Sequence, residues 1–423
     1  LLSRAQYSRE NYQGLFKIIV LSTLAPLLVG LYQYLIIHTK PNLQLYSVGH
    51  VNHSAIYLVM IFGASLGWFL SHFSSDKLKV NLSNLYLIAL GILSLIFFVS
   101  LIIGQSRAAF GVGSILGLLI INFVAKSKKI KLIGCISIML IILFSITLKT
   151  GVIEKQISNQ EANNVLSSRD KVWNVSLEAS RFSPFFGLGL SNWHFITLDH
   201  LKKSVEDRGK VFDENNYFFP GHSHNHYLSA LVERGIVGLL VTLTFMILWI
   251  RHIMKTFKWA CRTKESILLW SGSLSAWVAT FGIGFVNTTF HHEHAILACL
   301  FLGIYLLLIK EKDQNIISEM KLYLKIILGS IVGFISAITG IGGAVMNVPI
   351  LKFFGYSINK AIGSAAAIGF LIALFGATGF FISGSYLKTN LPLSIGFLNI
   401  PAFLIFIPIT TFMARVGART VHK

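Results

Sequence analysis

The sequence predicts an all-α integral membrane protein with about eleven transmembrane helices. Hydrophobic residues make up 54% of the 423 residues and charged residues only 13%, whereas a soluble domain is about a quarter charged. This composition excludes a soluble enzyme, a disordered protein and a disulfide scaffold. Apolar runs of about 20 residues, each long enough to cross a bilayer as a helix, recur along the chain. The runs lie near residues 15–37, 54–72, 83–103, 108–125, 130–148, 227–250, 266–288, 293–309, 324–340, 361–383 and 391–414.

The positive charge of the chain follows the pattern that orients membrane proteins. The chain has 36 Lys and Arg against 17 Asp and Glu, which gives a formal net charge of +19. In a soluble protein, this excess would suggest binding to nucleic acid. Here the basic residues gather in alternate short loops, which places those loops in the cytoplasm. The opposite short loops carry only Lys40 and Arg107. We therefore expect a lipid bilayer and no nucleic acid as a partner, with the stretch 149–225 facing outward.

The stretch 149–225, called the long loop below, is too long for a simple connector. It ends in three alternating histidines, His222, His224 and His226. Such a group can hold a metal, because imidazole is a common metal ligand, or supply a general base near neutral pH. Solvated histidines without a chemical role are a third interpretation. The residue types alone leave all three open.

Two arginines are the other candidate site residues. Arg107 follows Gly-Gln-Ser in a tight outward turn, and Arg169 opens the segment Arg-Asp-Lys-Val-Trp. A guanidinium group is always charged, and its planar fork fits phosphate oxygens. Alternatively, Arg107 reaches lipid headgroups and Arg169 pairs with Asp170 as a surface charge. Both arginines and His224 are predicted on the same side of the membrane, which favours one site for a diphosphate and a hydroxyl.

The junction of the long loop with the next helix carries the most specific motif. The pattern is His, Asn, nine residues, Gly, two residues, Gly, at His224, Asn225, Gly235 and Gly238. It resembles the motif of the O-antigen ligase/polymerase family of bacterial envelope glycan enzymes, and the resemblance covers about residues 15–309. On this resemblance the family's essential histidine corresponds to His224, not to its neighbours.

Further segments resemble the same family. Residues 106–110 are similar to its Ser-Arg-Gly/Ala element, and 169–173 with 183–189 are similar to its Arg-x-x-x-Trp … Pro-x-x-Gly-x-Gly loop. The Gly-x-Gly is expected to form a tight backbone turn. At the next outward turn, Glu293 is a weaker candidate, because an interfacial polar cap is the favoured interpretation of this residue. His53 also shows a weak resemblance to a family element at the start of a helix on the outer side of the membrane.

The resemblance implies a glycosyltransferase of the bacterial inner membrane, active in lipopolysaccharide biosynthesis, with its active site facing the periplasm. It implies transfer of a glycan from an undecaprenyl-diphosphate-linked donor to an acceptor hydroxyl. His224 would act as base, and Arg107 and Arg169 would hold the diphosphate. Neither a metal nor a cofactor is expected. The residues implied to support the site are Asn225, Gly235, Gly238 and Glu293.

The acceptor stays open, because members of the family share these motifs. A ligase uses lipid A–core sugar, a polymerase of O-antigen or exopolysaccharide uses another repeat unit, and other members use a protein hydroxyl. The ligase is the preferred interpretation. The chain begins at an apolar run that is internal in the family, so several N-terminal helices are expected to be missing, and with them part of the groove for the donor's lipid tail.

Residues 326–423 have a different character and follow a charged stretch, 311–325, that indicates a cytoplasmic linker. Glycines cluster at Gly340, Gly342 and Gly343. Such a cluster permits either a broken helix whose backbone N–H groups meet an anion or plain close packing of helices.

The glycine cluster and the Val-Pro that follows it resemble the sulfite exporter TauE/SafE family, and Ser364 falls in that family's Gly-Thr-Ser region. The resemblance implies a weakly defined path for sulfite or organosulfonate along Gly340, Gly342, Gly343 and Ser364. Only one of the two repeats is found, and half of an inverted-repeat carrier is not expected to alternate access alone.

The sequence thus predicts a glycosyltransferase domain at 1–310, the linker, and a half-transporter domain at 326–423. Two rival interpretations remain: an anion permease with an accessory N-terminal part, and a non-catalytic membrane scaffold.

Overall fold

A computed structural model provides the coordinates. It describes residues 9–40, 42–48, 50–73, 85–149, 151–162, 164, 166–219, 221–290, 292–310, 348, 351, 358–386, 393–395 and 398–421. The predicted linker 311–325, the predicted span 324–340 and the glycines Gly340, Gly342 and Gly343 lie outside these residues.

Helices form nearly all of the regular structure that is described. The α-helices are α1 (Arg9–Ser22), α2 (Leu24–Leu35), α3 (Val51–Ser71), α4 (Leu85–Ile103), α5 (Arg107–Val124), α6 (Lys128–Thr147), α7 (Val152–Glu161), α8 (Arg169–Ala179), α9 (Leu198–Glu206), α10 (His226–Ala260), α11 (Lys264–Ile283), α12 (His292–Lys310), α13 (Ile358–Tyr386) and α14 (Ile400–Val421). Short 3₁₀ helices occupy Asn192–Phe195 and Glu214–Asn216. The strands β1 (Ser394–Ile395) and β2 (Leu398–Asn399) pair antiparallel.

The predicted fold class is confirmed: the chain is an all-α membrane protein. Within the described residues, seven segments are long and apolar enough to cross a membrane. They are Tyr12–Leu35, Val51–Ser71, Leu85–Ile103, Arg107–Val124, Lys128–Thr147, His226–Ala260 and Lys264–Ile283. The predicted spans at 293–309 and 361–383 correspond to α12 and α13. The predicted span at 391–414 is wrong in its first part, because the paired strands β1 and β2 precede α14, which begins at Ile400. Shorter apolar stretches lie at Glu293–Leu307 and Ile400–Thr410.

The described residues form two compact units. One lies within 1–170, 224–226 and 243–320, and the other within 171–223, 227–242 and 321–423. The first unit, called the bundle below, has α3 and α11 at its centre, and each of these helices contacts α5 and α12. Because α11 and α12 pack with α3, they group with the helices before the long loop.

Small residues bring α3 and α11 together. A Cβ at Gly67 would lie 2.1 Å from the Cβ of Ser271, and a Cβ at Gly63 would lie 2.2 Å from the hydroxyl of Ser275. The two serine hydroxyls donate back to carbonyls of their own helix, to Ile267 and Ser271, so they need no partner across the interface. The contact therefore depends on the small size of these residues. This is usual for helices packed within lipid, where the hydrophobic effect does not drive their association.

Indole groups join the last part of α10 to α11 within the bundle. The Nε1 of Trp270 donates to the carbonyl of Ile253 at 2.9 Å, and the Nε1 of Trp277 donates to the carbonyl of Met246 at 2.8 Å. A third indole, on Trp249, donates to the hydroxyl of Ser273 at 3.0 Å. Trp249 and Trp270 are buried and Trp277 is half-buried, and each of the three indoles satisfies its N–H group.

The second unit contains most of the long loop, which has its own small core. Its members with 0% or 1% exposure are Val172, Val175, Ala179, Leu188, Leu201 and Val232. Beside this core, the Glu178 carboxylate accepts hydrogen bonds from both terminal nitrogens of Arg208 and from the hydroxyl of Ser204. Burial opposes ionisation of Glu178, but these hydrogen bonds outweigh it and lower its pKa below the ordinary value.

Candidate active site

Arg107 is the first residue of α5 and is held by two side chains from the start of the long loop. Its Nη1 donates to Gln156 Oε1 at 2.5 Å, and its Nη2 donates to the hydroxyl of Ser167 at 2.9 Å. That hydroxyl also accepts from Asn159 Nδ2 at 3.0 Å. The guanidinium group is therefore fixed by the protein itself, which differs from an arginine that reaches headgroups on a flexible stem.

Arg169 is the first residue of α8 and binds backbone carbonyls. Its Nε donates to the carbonyl of Val286 at 3.0 Å, and its Nη1 donates to that of Leu166 at 3.3 Å. Asp170, the alternative partner, is exposed. Burial, followed by the charge of Arg107, lowers the pKa of Arg169. The two predicted arginines are thus close enough to repel each other.

Lys155 is a third cation at this place, and no pattern in the sequence singles it out. It lies half-buried on α7, next to the Gln156 that accepts from Arg107. Burial, followed by the charges of Arg107 and Arg169, lowers its pKa. We call Arg107, Lys155 and Arg169 the cation cluster. The first residues of α5 and α8 belong to it, and helix N-termini add a partial positive charge that favours anions.

The predicted base His224 lies on a segment anchored to the turn after α11. The Nδ2 of Asn225 donates to the carbonyl of Phe285 at 2.8 Å, and the backbone N–H of His226 donates to that of Gly284 at 2.7 Å. Val286, the next residue of this turn, accepts from Arg169. Adjacent carbonyls therefore hold the motif of His224 and one arginine of the cation cluster, so the structure brings these predicted site residues to one region.

The backbone is unusual beside each of these candidates. His224 itself has a φ of 45°, and Gln105, two residues before Arg107, has a φ of 55°. Ser167 and Ser168, directly before Arg169, have φ values of 52° and 57°. L-residues other than glycine rarely adopt this left-handed conformation, and such strain gathers at functional sites.

Two glycines of the predicted motifs, Gly187 and Gly235, form a backbone contact in the second unit. Gly235 interrupts α10 with a φ of 66°, and a Cβ there would lie 2.2 Å from the backbone of Phe185. Gly187 has a φ of 74°, and a Cβ there would lie 2.1 Å from the backbone N of Arg234. The predicted tight turn at Gly187 is confirmed, and its partner is the break in α10. We call this contact the glycine clasp.

Four backbone hydrogen bonds complete the glycine clasp. They run from Leu188 to Val232, Gly189 to Glu233, Ile236 to Pro184 and Val237 to Phe185, at 2.8, 2.9, 2.8 and 3.3 Å. A helix break leaves N–H and C=O groups without their usual partners, and the loop supplies new ones. Gly238 lies beyond the break, where its carbonyl accepts the hydroxyl of Thr242 at 2.8 Å.

Glu293 and its neighbour differ in burial. Glu293 is exposed in the first turn of α12, whereas His294 has 0% exposure. The His294 ring packs edge-on against His53, with ring centroids 5.1 Å apart, and His53 packs against His50 at 4.9 Å. The buried group at this turn is therefore a histidine, and the exposed Glu293 fits the polar-cap interpretation.

No group of three His, Cys, Asp or Glu side chains suited to a metal ion is found in the described part of the chain. In the predicted half-transporter domain at 326–423, Ser364 lies half-buried on α13. The three glycines predicted to line the same path lie outside the described residues.

Comparison with known families matches two parts of the chain. The family described as O-antigen ligase matches residues 92–243, and the family described as sulfite exporter TauE/SafE matches residues 268–423. The second match begins within α11, upstream of the predicted boundary at 326. The packing of α11 and α12 with α3 groups those helices with the first part instead, so the domain division stays a prediction.

Two curated relatives resemble part of the chain. A probable membrane transporter protein of Haemophilus influenzae is 32% identical over 130 residues, which cover 30% of this chain and 49% of that protein. A probable membrane transporter protein of Methanocaldococcus jannaschii is 29% identical over 167 residues, which cover 35% of this chain and 60% of that protein. The chain thus spans about half of the curated relatives that it matches. Along the chain, the match to the O-antigen ligase family is followed by the match to the sulfite exporter TauE/SafE family, in agreement with the two-part architecture that the sequence predicts.

Proposed function

We propose that the 1–310 part is a membrane glycosyltransferase that moves a glycan from an undecaprenyl-diphosphate donor to an acceptor hydroxyl. One observation carries this proposal. Hydrogen bonds bring Arg107, Arg169 and the segment of His224 and Asn225 to the ends of neighbouring helices. The match of residues 92–243 to the O-antigen ligase family supports the same reaction class.

In the proposed reaction, the acceptor oxygen attacks the anomeric carbon of the donor sugar. The bond between that carbon and the phosphate oxygen breaks, and undecaprenyl diphosphate leaves with the electron pair. His224 takes the proton of the acceptor hydroxyl. Arg107 and Arg169 bind the diphosphate and stabilise its growing charge, because their positions are fixed before the reaction begins.

We further propose a ligase that uses lipid A–core sugar on the periplasmic face of the bacterial inner membrane. The distribution of Lys and Arg in the short loops supports this orientation. A polymerase that uses another repeat unit is the alternative within the same family. The acceptor in the assay separates the two, since a polymerase releases undecaprenyl diphosphate from the donor alone and a ligase requires lipid A–core.

The test is glycan transfer by the full chain in vesicles, with a synthetic undecaprenyl-diphosphate oligosaccharide as donor. His224→Ala is expected to reduce release of undecaprenyl diphosphate by about a hundredfold or more, the usual contribution of a general base. His222→Ala is the matched control, because His222 is an exposed histidine of the same loop. Equal rates in wild type and His224→Ala would remove His224 from the mechanism.

A second candidate function is anion transport by the 326–423 part. The family match at 268–423 and the two transporter relatives favour it. Because the chain spans about half of those relatives, we propose a half-carrier that needs a second half for transport. Uptake of radiolabelled sulfite into vesicles tests this. For the chain alone, we expect the same sulfite flux as in empty vesicles. A higher flux that Ser364→Ala abolishes would instead establish the chain as an independent carrier.

A further inference from the structure

The cation cluster is assembled from three helices by hydrogen bonds of its own neighbours. Gln156 follows Lys155 on α7 and accepts from Arg107 at the start of α5. Ser167, which accepts from the other terminal nitrogen of Arg107, lies two residues before Arg169 at the start of α8. These two contacts hold the two arginines in one region of the bundle, and Lys155 lies half-buried on α7 directly beside the Gln156 that binds Arg107.

Holding three like charges together in a half-buried place is unfavourable for the protein alone. Desolvation and repulsion both act against the charged forms, and for Lys155 both effects lower the pKa. A ligand with several negative charges removes this cost when it binds. The cluster is therefore suited to a polyanion rather than to a single negative charge.

The charge of the donor changes during the proposed reaction. A diphosphate diester carries two negative charges, and cleavage of the bond to the sugar leaves a third on the departing oxygen. Arg107 and Arg169 match the two charges of the bound donor. We propose that Lys155 is the third cation of this site and neutralises the charge that develops on the leaving diphosphate. This inference rests on the proposed function for its reaction, but the binding of diphosphate can be measured without that reaction.

The role of Lys155 predicts a dependence on pH that an arginine would not show. The charged groups that face Lys155 are Arg107 at the start of α5 and Arg169 at the start of α8, and Glu154 is its exposed neighbour on α7. Because its pKa is lowered, Lys155 loses its proton at a lower pH than an ordinary lysine. An arginine at this position stays charged throughout the usual pH range. Lys155→Arg should therefore extend diphosphate binding to higher pH.

The experiment measures binding of inorganic pyrophosphate, with inorganic phosphate for comparison, to the full chain in lipid nanodiscs. Lys155→Met should weaken pyrophosphate binding about tenfold and phosphate binding much less, since one favourable charge contact is lost. Lys149→Met is the matched control, because Lys149 is exposed and lies shortly before α7. Lys155→Arg should bind pyrophosphate as the wild type does near neutral pH and retain it at a pH where the wild type has lost it.

Two results would overturn the assignment of Lys155. One is wild-type pyrophosphate affinity in Lys155→Met while Arg107→Gln weakens it, which would leave the proposed function standing without Lys155. The other is the same alkaline limit in Lys155→Arg and the wild type, a test that does not depend on how well the Met variant folds. If the wild type transfers no glycan but Lys155→Met still weakens pyrophosphate binding, the anion site stands and the glycosyltransferase proposal fails.

Discussion

The bundle and the long loop are stabilised in different ways. In the bundle, Gly67 meets Ser271 and the serine hydroxyls bond within their own helix, so the interface depends on the size of its residues. In the long loop, Glu178 binds Arg208, and the glycine clasp joins two backbone segments. The contact between α3 and α11 at the centre of the bundle therefore depends on fit rather than on hydrogen bonds, whereas the long loop depends on particular directional contacts.

The difference follows from the surroundings of each region. Helices in lipid satisfy their own backbone, and packing then selects small residues at close contacts. A polar loop of this length has only a small apolar core, so capping, ion pairing and backbone pairing must supply the remaining stability. Two readouts separate the regions: a thiol-reactive dye reports the half-buried Cys135, Cys261 and Cys299, and trypsin reports the exposed bonds at 202–210.

The largest expected effect is in the bundle. Gly67→Leu must push α3 away from α11, because even a Cβ would lie 2.1 Å from Ser271. We expect destabilisation on the order of 3 kcal/mol, the upper part of the usual overpacking cost. Thiol labelling during thermal unfolding should begin at a lower temperature. The matched control is Gly303→Leu, which has open space on α12, and equal unfolding temperatures for the two variants would contradict the size argument.

The next effect is at the glycine clasp. Gly235→Ala places a Cβ 2.2 Å from the backbone of Phe185 and also requires a left-handed φ of 66°. The φ alone costs about 1–2 kcal/mol, and the contact with backbone atoms adds to it. Trypsin should cleave at 202–210 faster, with little change in thiol labelling. Gly209→Ala has a similar φ of 70° but open space around it, so equal cleavage of both variants would show that the clasp itself contributes nothing.

A smaller loss of stability in the long loop is expected from Glu178→Gln. The substitution keeps the shape but removes the charge that Arg208 binds, so trypsin cleavage of the long loop should rise by less than it does in Gly235→Ala. Glu206→Gln is the control, because Glu206 is exposed on α9. Unchanged cleavage in Glu178→Gln would mean that the ion pair is not needed for the order of the loop.

The same carboxylate gives the long loop a dependence on pH. The pKa of Glu178 is lower in the folded loop than in an unfolded chain. Its contribution to stability is therefore present above the unfolded pKa and is lost as the pH falls through the folded pKa. A pH series should show faster cleavage in acid for the wild type, by a protease active there, and a weaker dependence for Glu178→Gln. The same acid sensitivity in both would assign the effect to another group.

The smallest effect concerns the start of α9. The hydroxyl of Thr197 accepts the backbone N–H of His200, and the His200 side chain accepts the N–H of Thr197. Thr197→Ala should destabilise this helix by about 1 kcal/mol, the usual value for an N-cap. Hydrogen exchange of the α9 amides measures it, and Thr197→Ser should restore protection. Equal exchange in the Ala and Ser variants would exclude the cap as the cause.

The sequence predicted what depends on composition and local pattern. Apolar runs predicted the helices, and motif spacing singled out His224 at the junction of the long loop with the next helix; that Arg107 and Arg169 begin helices came only from the structure. The sequence could not identify Lys155 as a site residue. One lysine in a polar loop has no distinctive pattern, and the residues near it in space come from distant parts of the chain. The partner of the Gly187 turn was missed for the same reason, since a backbone contact with Gly235 leaves no signal in residue type beyond the glycines themselves.

The turn after α11 holds Asn225 and Arg169 through the carbonyls of Phe285 and Val286, not through their side chains. Evolution is thus free to exchange those two residues for others while the anchor survives. An inserted or deleted residue would move one carbonyl away from its donor, however similar the new sequence looked. Selection at this turn should therefore preserve the number of residues more strictly than their identity.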